Sequence, residues 1–517
     1  MARGHIVYLT EPVSMRAMLG ALAAALVLSC PLTSFAQLVQ GGSIQTNDYT
    51  VDLTETPVLA SSRVIGLGGA YVAIAEGVEG MSQNPAAAAA RTPWSYAHFD
   101  HDLGAGLTFP STISQSDFFN TGKQRRTNLP PTKEGEFVFL DLAGAIQLGR
   151  WAAAVSVGLQ QYGLQRASGT GGVQPDSFRA QILLLHGMGA ANFFDGQLII
   201  GAGVRSTVLQ IVNTNAPPGE QRSLFSTAGL APEAGVLVRP NEEPFRVGAA
   251  FHSAITSTAA EVKNPPDPPL YQSTDPLYLP SQVTLPWDLN VGVAVQFGPR
   301  PLNPRWIDPH YQLGAVRREV SENQQRRLSE RLLRKQQALQ SRNPGAAQAA
   351  ADAELDFEQA LDDARLEAAE RNLDRRLRER YARMSRRYVL VSTSLSITGL
   401  SKNAVGVESF LNREVDRSGL SVNYSPHIGV ETEAIPNWLK VRAGSYIEPS
   451  RTVYNETRFR VHGTLGLDSK VFGWTVFGLF HESTEWRAGA VVDLGFSGKQ
   501  RQSLSYFAWA VSVGVWR

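Results

Sequence analysis

The chain has 517 residues, 43% of them hydrophobic, and a formal net charge of +1. No global field points to nucleic acid or another polyanion as a partner. With one cysteine, Cys30, the chain has no disulfide framework.

The first element is a targeting signal. Met18 to Leu28 is apolar, Arg16 precedes it, and Ser34-Phe35-Ala36 follows, which predicts a signal peptide over 1–36 cut after Ala36. Either Met1 or Met15 serves as the start. Val27-Leu28-Ser29-Cys30 forms a marginal lipoprotein box. Cleavage after Ala36 leaves a mature protein without thiols, and so without thiolate metal sites or cysteine nucleophiles. Next comes a small-residue segment, 37–92, containing Arg63, Gly66, Gly68, Gly69 and Ala70, then Asn84, Pro85 and Ala86. Gly66 to Tyr71 looks like a dinucleotide loop, but its sixth position is Tyr and no βαβ pattern surrounds it.

From 93 onward the pattern changes to strict alternation, which predicts β-strands with one apolar and one polar face. Strands are expected near 94–110, 135–147, 151–164, 177–193, 197–212, 223–238, 245–259 and 281–297. The last of these alternates without a break from Val283 to Phe297, with Trp287 as an interfacial anchor and Asp288 and Asn290 on the polar face. After an interruption, six more are expected near 387–398, 420–433, 438–449, 457–471, 476–494 and 503–516. Fourteen long strands, tight turns alternating with longer polar loops, and aromatics at strand ends predict an all-β transmembrane barrel of antiparallel strands. Its outward set is greasy (Leu198, Ile200 and Val204; Leu465 and Leu467). The candidate lumen set is Arg205, His252, His427, Glu431, Arg442, Arg458, Arg460, His462 and Asp468. Charges of both signs there read as ladders that brace a narrow barrel or hold a plug, with a permeation path as the sharper alternative. An exported soluble β-protein is the bland alternative to the barrel.

The interruption has a helical period. Leu366, Ala369, Leu373, Leu377, Tyr381 and Met384 fall three or four apart, and Asn343-Pro344-Gly345 marks a turn before them. An antiparallel helical hairpin is expected within 299–386. Strand parity puts it on the periplasmic side. Its arginine run, Arg371 to Arg387, reads as a solvated face or as a docking surface for a periplasmic protein or another copy of the chain.

Arg63-x-x-Gly66-x-Gly68-Gly69-Ala70, followed by Asn84-Pro85-Ala86, resembles a segment of the FadL-like outer-membrane transporters and their PorV-type relatives. The resemblance implies that 37–92 is a hatch inside the barrel, with 93–298 forming strands one to eight and 387–517 strands nine to fourteen. It also implies passive passage of a small hydrophobic molecule through the outer membrane of a Gram-negative cell, in contact with membrane lipid. A non-transporting scaffold that docks a partner through the hairpin is the alternative. No cofactor motif and no metal-ligand spacing stand out. His481-Glu482-Ser483-Thr484-Glu485 only imitates a zinc-protease helix, and no nucleophile elbow occurs, so an enzyme is not expected.

Overall fold

A computed structural model describes residues 39–54, 57–110, 117–122, 133–165, 177–214, 223–258, 278–340, 343–452, 459–478, 484–497 and 503–516. The proposed signal peptide, Cys30, Arg458 and His481 to Ser483 lie outside these residues.

Among the described residues, fourteen antiparallel strands close into a barrel. In chain order they are β1 (Phe99–Pro110), β2 (Lys133–Leu148), β3 (Trp151–Gln165), β4 (Ser177–Phe193), β5 (Leu198–Asn213), β6 (Ser223–Val238) and β7 (Phe245–His252), then β8 (Asp288–Phe297), β9 (Val389–Thr398), β10 (Asn423–Ile435), β11 (Leu439–Pro449), β12 (Phe459–Trp474), β13 (Thr484–Ser497) and β14 (Ser503–Val515). β14 pairs back onto β1, so the barrel has no open edge at its seam. The outward faces carry large apolar side chains that the described residues leave exposed, such as Val155, Ile200, Leu465 and Leu467. Fully burying each would gain about 1.5–3 kcal/mol, so an apolar solvent stabilises what water would not. The chain is a membrane barrel.

One end carries tight turns. Gly149 and Arg150 alone join β2 to β3, and Asn437 takes a left-handed φ of 57° between β10 and β11. The opposite, loop end carries a five-stranded lid sheet built from Thr50–Asp52, Ile255–Thr258, Gln282–Leu285, Ala404–Gly406 and Arg417–Ser418. This corrects two strand expectations. The alternating run 281–297 is two strands: 288–297 lies in the wall, while 282–285 leaves it and pairs with Thr50–Asp52. Likewise 245–259 divides after His252. The lid buries alternate residues just as lipid does, so Val283 keeps phase with Val291 although it faces protein. Two ends also moved: the first strand begins at 99 rather than 94, and the thirteenth spans 484–497 rather than 476–494.

From the lid the chain descends inside the barrel. Residues 57–90 are almost continuously buried, with helix α1 (Ser62–Gly66) and a 3-10 turn over Pro85–Ala89. At the turn end Arg91 fastens this segment by donating to His98 O (2.8 Å) and Gly149 O (3.1 Å).

An arm leaves the same turn end between β8 and β9. Its helices are α2 (Gly314–Leu339) and α3 (Pro344–Ala382), and at 1.5 Å per residue α3 reaches about 58 Å. They pack antiparallel through ion pairs such as Arg334–Glu354 (2.6 Å) and Arg327–Asp362 (2.6 Å), with Leu355 buried on α3 and Leu373 and Leu377 clustered with Leu313 at the base of the arm. The Arg327 hydrogen bond holds the Asp362 carboxyl below the usual carboxylate range. A depressed pKa contributes stability above the ordinary aspartate value of about 3.9, and that contribution is lost as pH falls through the depressed value. Exchange protection across the arm, taken relative to the intrinsic rate at each pH, should therefore fall below about pH 4, and Arg327→Ala should flatten that dependence.

Candidate functional site

Three layers occupy the lumen. The first is the seat of the inner segment. Pairs of glycines that face each other across neighbouring strands leave room for its backbone: Gly201 and Gly235 on β5 and β6, Gly248 and Gly292 on β7 and β8, Gly429 and Gly444 on β10 and β11. A Cβ on these would strike Pro85 or Asn84, Val72, and Leu67 or Gly68 respectively. Gly68 and Gly69 themselves have φ of 59° and 80°, and Gly69 lies against His427, whose Nδ1 is 2.6 Å from Gly68 O. Ala70 and Ala86 are fully buried, and Gly66 passes Gly466 closely. Asn84 caps the turn that starts at Pro85, accepting from Ala86 N (3.0 Å) and donating to Val72 O (2.9 Å).

The second layer is ionic. Arg63 reaches from α1 to Glu431 with two hydrogen bonds of 2.8 and 2.9 Å, and its third nitrogen meets Tyr71 OH (2.8 Å), Glu76 (3.4 Å) and Glu79 (3.6 Å). Arg442 joins Glu431 to Asp468, each at 2.6 Å, and Arg487 joins Asp468 to Glu79. Arg246 holds Glu76 (2.8 Å), Ile74 O and Asn303. Four arginines and four carboxylates thus neutralise one another while tying the inner segment to β7, β10, β11, β12 and β13. Nearer the loop end, Arg460 and His462 share Glu448, and His462 Nδ1 lies 2.8 Å from Asp493.

The third layer is a cavity of about 280 Å³ between the inner segment and the wall. Val58, Leu59, Ile182, Leu184 and Leu285 give it an apolar side; His186, Arg205, His252, Asp288 and Asn290 give it a polar corner. Above it sits an aromatic cluster under the lid, where Phe118 packs against Phe137 (4.6 Å) and Phe119 (4.9 Å). The cavity lies beside a break in the wall. Glu233 and His252 are the last paired residues of β6 and β7, and beyond them Ser253 N donates to Pro232 O (3.1 Å). Proline has no N–H to continue the ladder. Among the described residues, 223–231 of β6 therefore lack a ladder partner on that side, because β7 and β8 both turn inward into the lid there.

The structure thus joins Arg63, Glu431, Arg442 and Asp468 in one network and puts Arg460 with His462 in a second. Arg205 and His252 sit apart from both, at the cavity. The sequence reading missed Glu76, Glu79, Arg246, Arg487, Glu448, Asp493, His186 and Glu233. Parity within each strand carried the signal for the wall residues among them other than His186. On the arm, Arg371, Arg378 and Arg383 pair with acids one turn earlier on α3, while Arg386 lies 3.4 Å over the Trp94 ring.

No family model and no curated protein matches the chain. Solved structures similar to it include an FadL homologue of Pseudomonas aeruginosa (10% identity, TM-score 0.45), for which 89% of this chain and 99% of that one are covered. The toluene transporters TodX of P. putida (11% identity, TM-score 0.46) and TbuX of Ralstonia pickettii (12% identity, TM-score 0.43) are also similar, each with 89% of this chain and 98% of the other covered.

Proposed function

We propose that this protein sits in the outer membrane of a Gram-negative cell and lets a small hydrophobic molecule pass down its gradient. The observation that carries the reading is the cavity beside the wall break. A plugged lumen braced by paired charges is poorly suited to a water column. An apolar molecule is instead stabilised at each stage by burial: under the aromatic cluster, against Ile182 and Leu184, and then sideways into lipid at the edge of β6, where Leu230 is exposed. On this reading the turn end and its arm face the periplasm, and 37–92 acts as a hatch.

The test is uptake of radiolabelled toluene by cells with and without the protein. Leu184→Glu puts a charge on the apolar side of the cavity and should cut protein-dependent uptake about ten-fold, while heat-modifiable gel mobility stays normal. Uptake no better than in cells lacking the protein would sink the proposal.

A docking role for the arm is a second reading, favoured by Leu328, Leu332, Phe357 and Leu361, large apolar side chains exposed on its far half. Replacing 314–382 with a short glycine linker should leave toluene uptake within about two-fold of wild type. Loss of a co-purifying periplasmic protein in the same strain would support docking; collapse of uptake would tie the arm to passage.

A further inference from the structure

The polar corner of the cavity is built by strand register. His186 faces Arg205 across β4 and β5, Gly203 faces Glu233 across β5 and β6, Glu233 faces His252, and His252 faces Asp288. Side chains from five adjacent strands therefore meet at one height, the level at which the wall breaks. A Cβ at Gly203 would crowd Gly187 O, Met188 Cβ and Glu233 Oε1, so glycine there leaves room for the carboxylate beside β4.

Most of the corner is satisfied internally. His186 Nδ1 lies 3.0 Å from Glu233 Oε2, and His252 Nδ1 lies 2.6 Å from Asp288 Oδ1. Arg205 donates to Ser253 O (2.8 Å) and Asp288 (3.4 Å). Three buried atoms have no hydrogen-bond partner among the described residues: Glu233 Oε1, Arg205 Nε and His252 Nε2, the last standing 3.7 Å from Glu233 Oε2, beyond hydrogen-bond distance. Their residues are each more than nine-tenths buried, and Arg205 and His252 line the cavity with Glu233 behind them.

These three atoms differ in kind. Ionised Glu233 can only accept, Arg205 can only donate, and His252 Nε2 does either according to its tautomer. A hydrocarbon leaves all three bare. A carboxylate cannot donate and meets two like charges in Glu233 and Asp288. An ammonium cannot accept and meets the Arg205 charge. A hydroxyl both donates and accepts through one atom, and the apolar side opposite suits a hydrocarbon body. Resting on the passage reading, we infer that the corner selects a small apolar alcohol or phenol over the hydrocarbon of the same shape.

The test compares p-cresol with p-xylene, which differ by a hydroxyl in place of a methyl, by calorimetric titration of the detergent-purified full chain. A hydroxyl pairs buried polar atoms that a methyl group leaves bare, so p-cresol should bind at least ten-fold tighter, a ratio equal to about 1.4 kcal/mol. His252→Phe should bring the two affinities within about three-fold of each other. Equal binding to wild type overturns the inference and leaves the passage reading standing. If neither molecule binds, both fail. A preference that survives His252→Phe overturns the assignment to this corner, and the wild-type ratio decides even if that variant does not fold.

Discussion

Replacing Arg63 with alanine is expected to unseat the hatch while leaving the barrel wall closed. The guanidinium makes both hydrogen bonds to Glu431 and also reaches Tyr71, Glu76 and Glu79. Its loss leaves four buried carboxylates facing the three arginines that remain, Arg246, Arg442 and Arg487. Removing one partner of a buried ion pair costs about 3–5 kcal/mol, and here the orphaned partner is shared with Arg442 and Tyr388. Lysine at 63 should fall between, because an ammonium keeps the charge but cannot bridge Glu431 with two parallel bonds. The readout is conductance in planar bilayers: closed for wild type, open or flickering for Arg63→Ala, intermittently open for Arg63→Lys. Heat-modifiable mobility should persist in all three, since the ladder hydrogen bonds of the wall do not depend on the hatch. A closed Arg63→Ala barrel would mean that the glycine seat alone holds the hatch.

The sequence carried the wall further than the lumen, for a physical reason. Alternation reports which face of a strand is apolar, and lipid, lid and aromatic cluster all impose it. That is why fourteen strands were legible, yet the exit of 282–285 from the wall was not. Pro286 stood at the break, but a proline can also sit harmlessly at an edge, so it did not decide the matter. In the lumen, Arg205, His252 and Glu431 were legible as inward polar residues because each interrupts an apolar alternation. Which residues pair was not, because partnership depends on register between segments far apart in sequence: Glu431 meets Arg63 across 368 residues. His186 was hidden further, since it follows Ile182 to Leu185, a run apolar on both faces of β4 that blurs the alternation just before it. The motif residues Asn84 and Pro85 were recognised by resemblance. What they rest against, Gly235 and Gly201, looked like ordinary strand glycines until their pairing was known.

Gly235→Val tests that seat by a route independent of charge. Valine suits a β-strand, so the change by itself should not harm β6. The new Cβ, however, would fall on Asn84 Oδ1 and Pro85 Cδ. Asn84 has no slack to yield, since it caps the turn through Ala86 N and donates to Val72 O and, at 3.2 Å, to Val236 O on the wall itself. Overpacking of this kind costs about 1–3 kcal/mol and loss of a cap about 1 kcal/mol more. The second half of the hatch should therefore lift from β5 and β6 while α1 stays bound through Arg63. Ala234→Val adds the same two methyl groups one residue earlier, on the exposed outer face, and should change nothing. Limited proteolysis separates the two outcomes: protease should cut between 72 and 92 in Gly235→Val and spare Ala234→Val and wild type. If Gly235→Val resists cleavage as wild type does, the contact between Asn84 and the wall is not what holds this half of the hatch, and Arg91 at the turn end becomes the anchor to examine next.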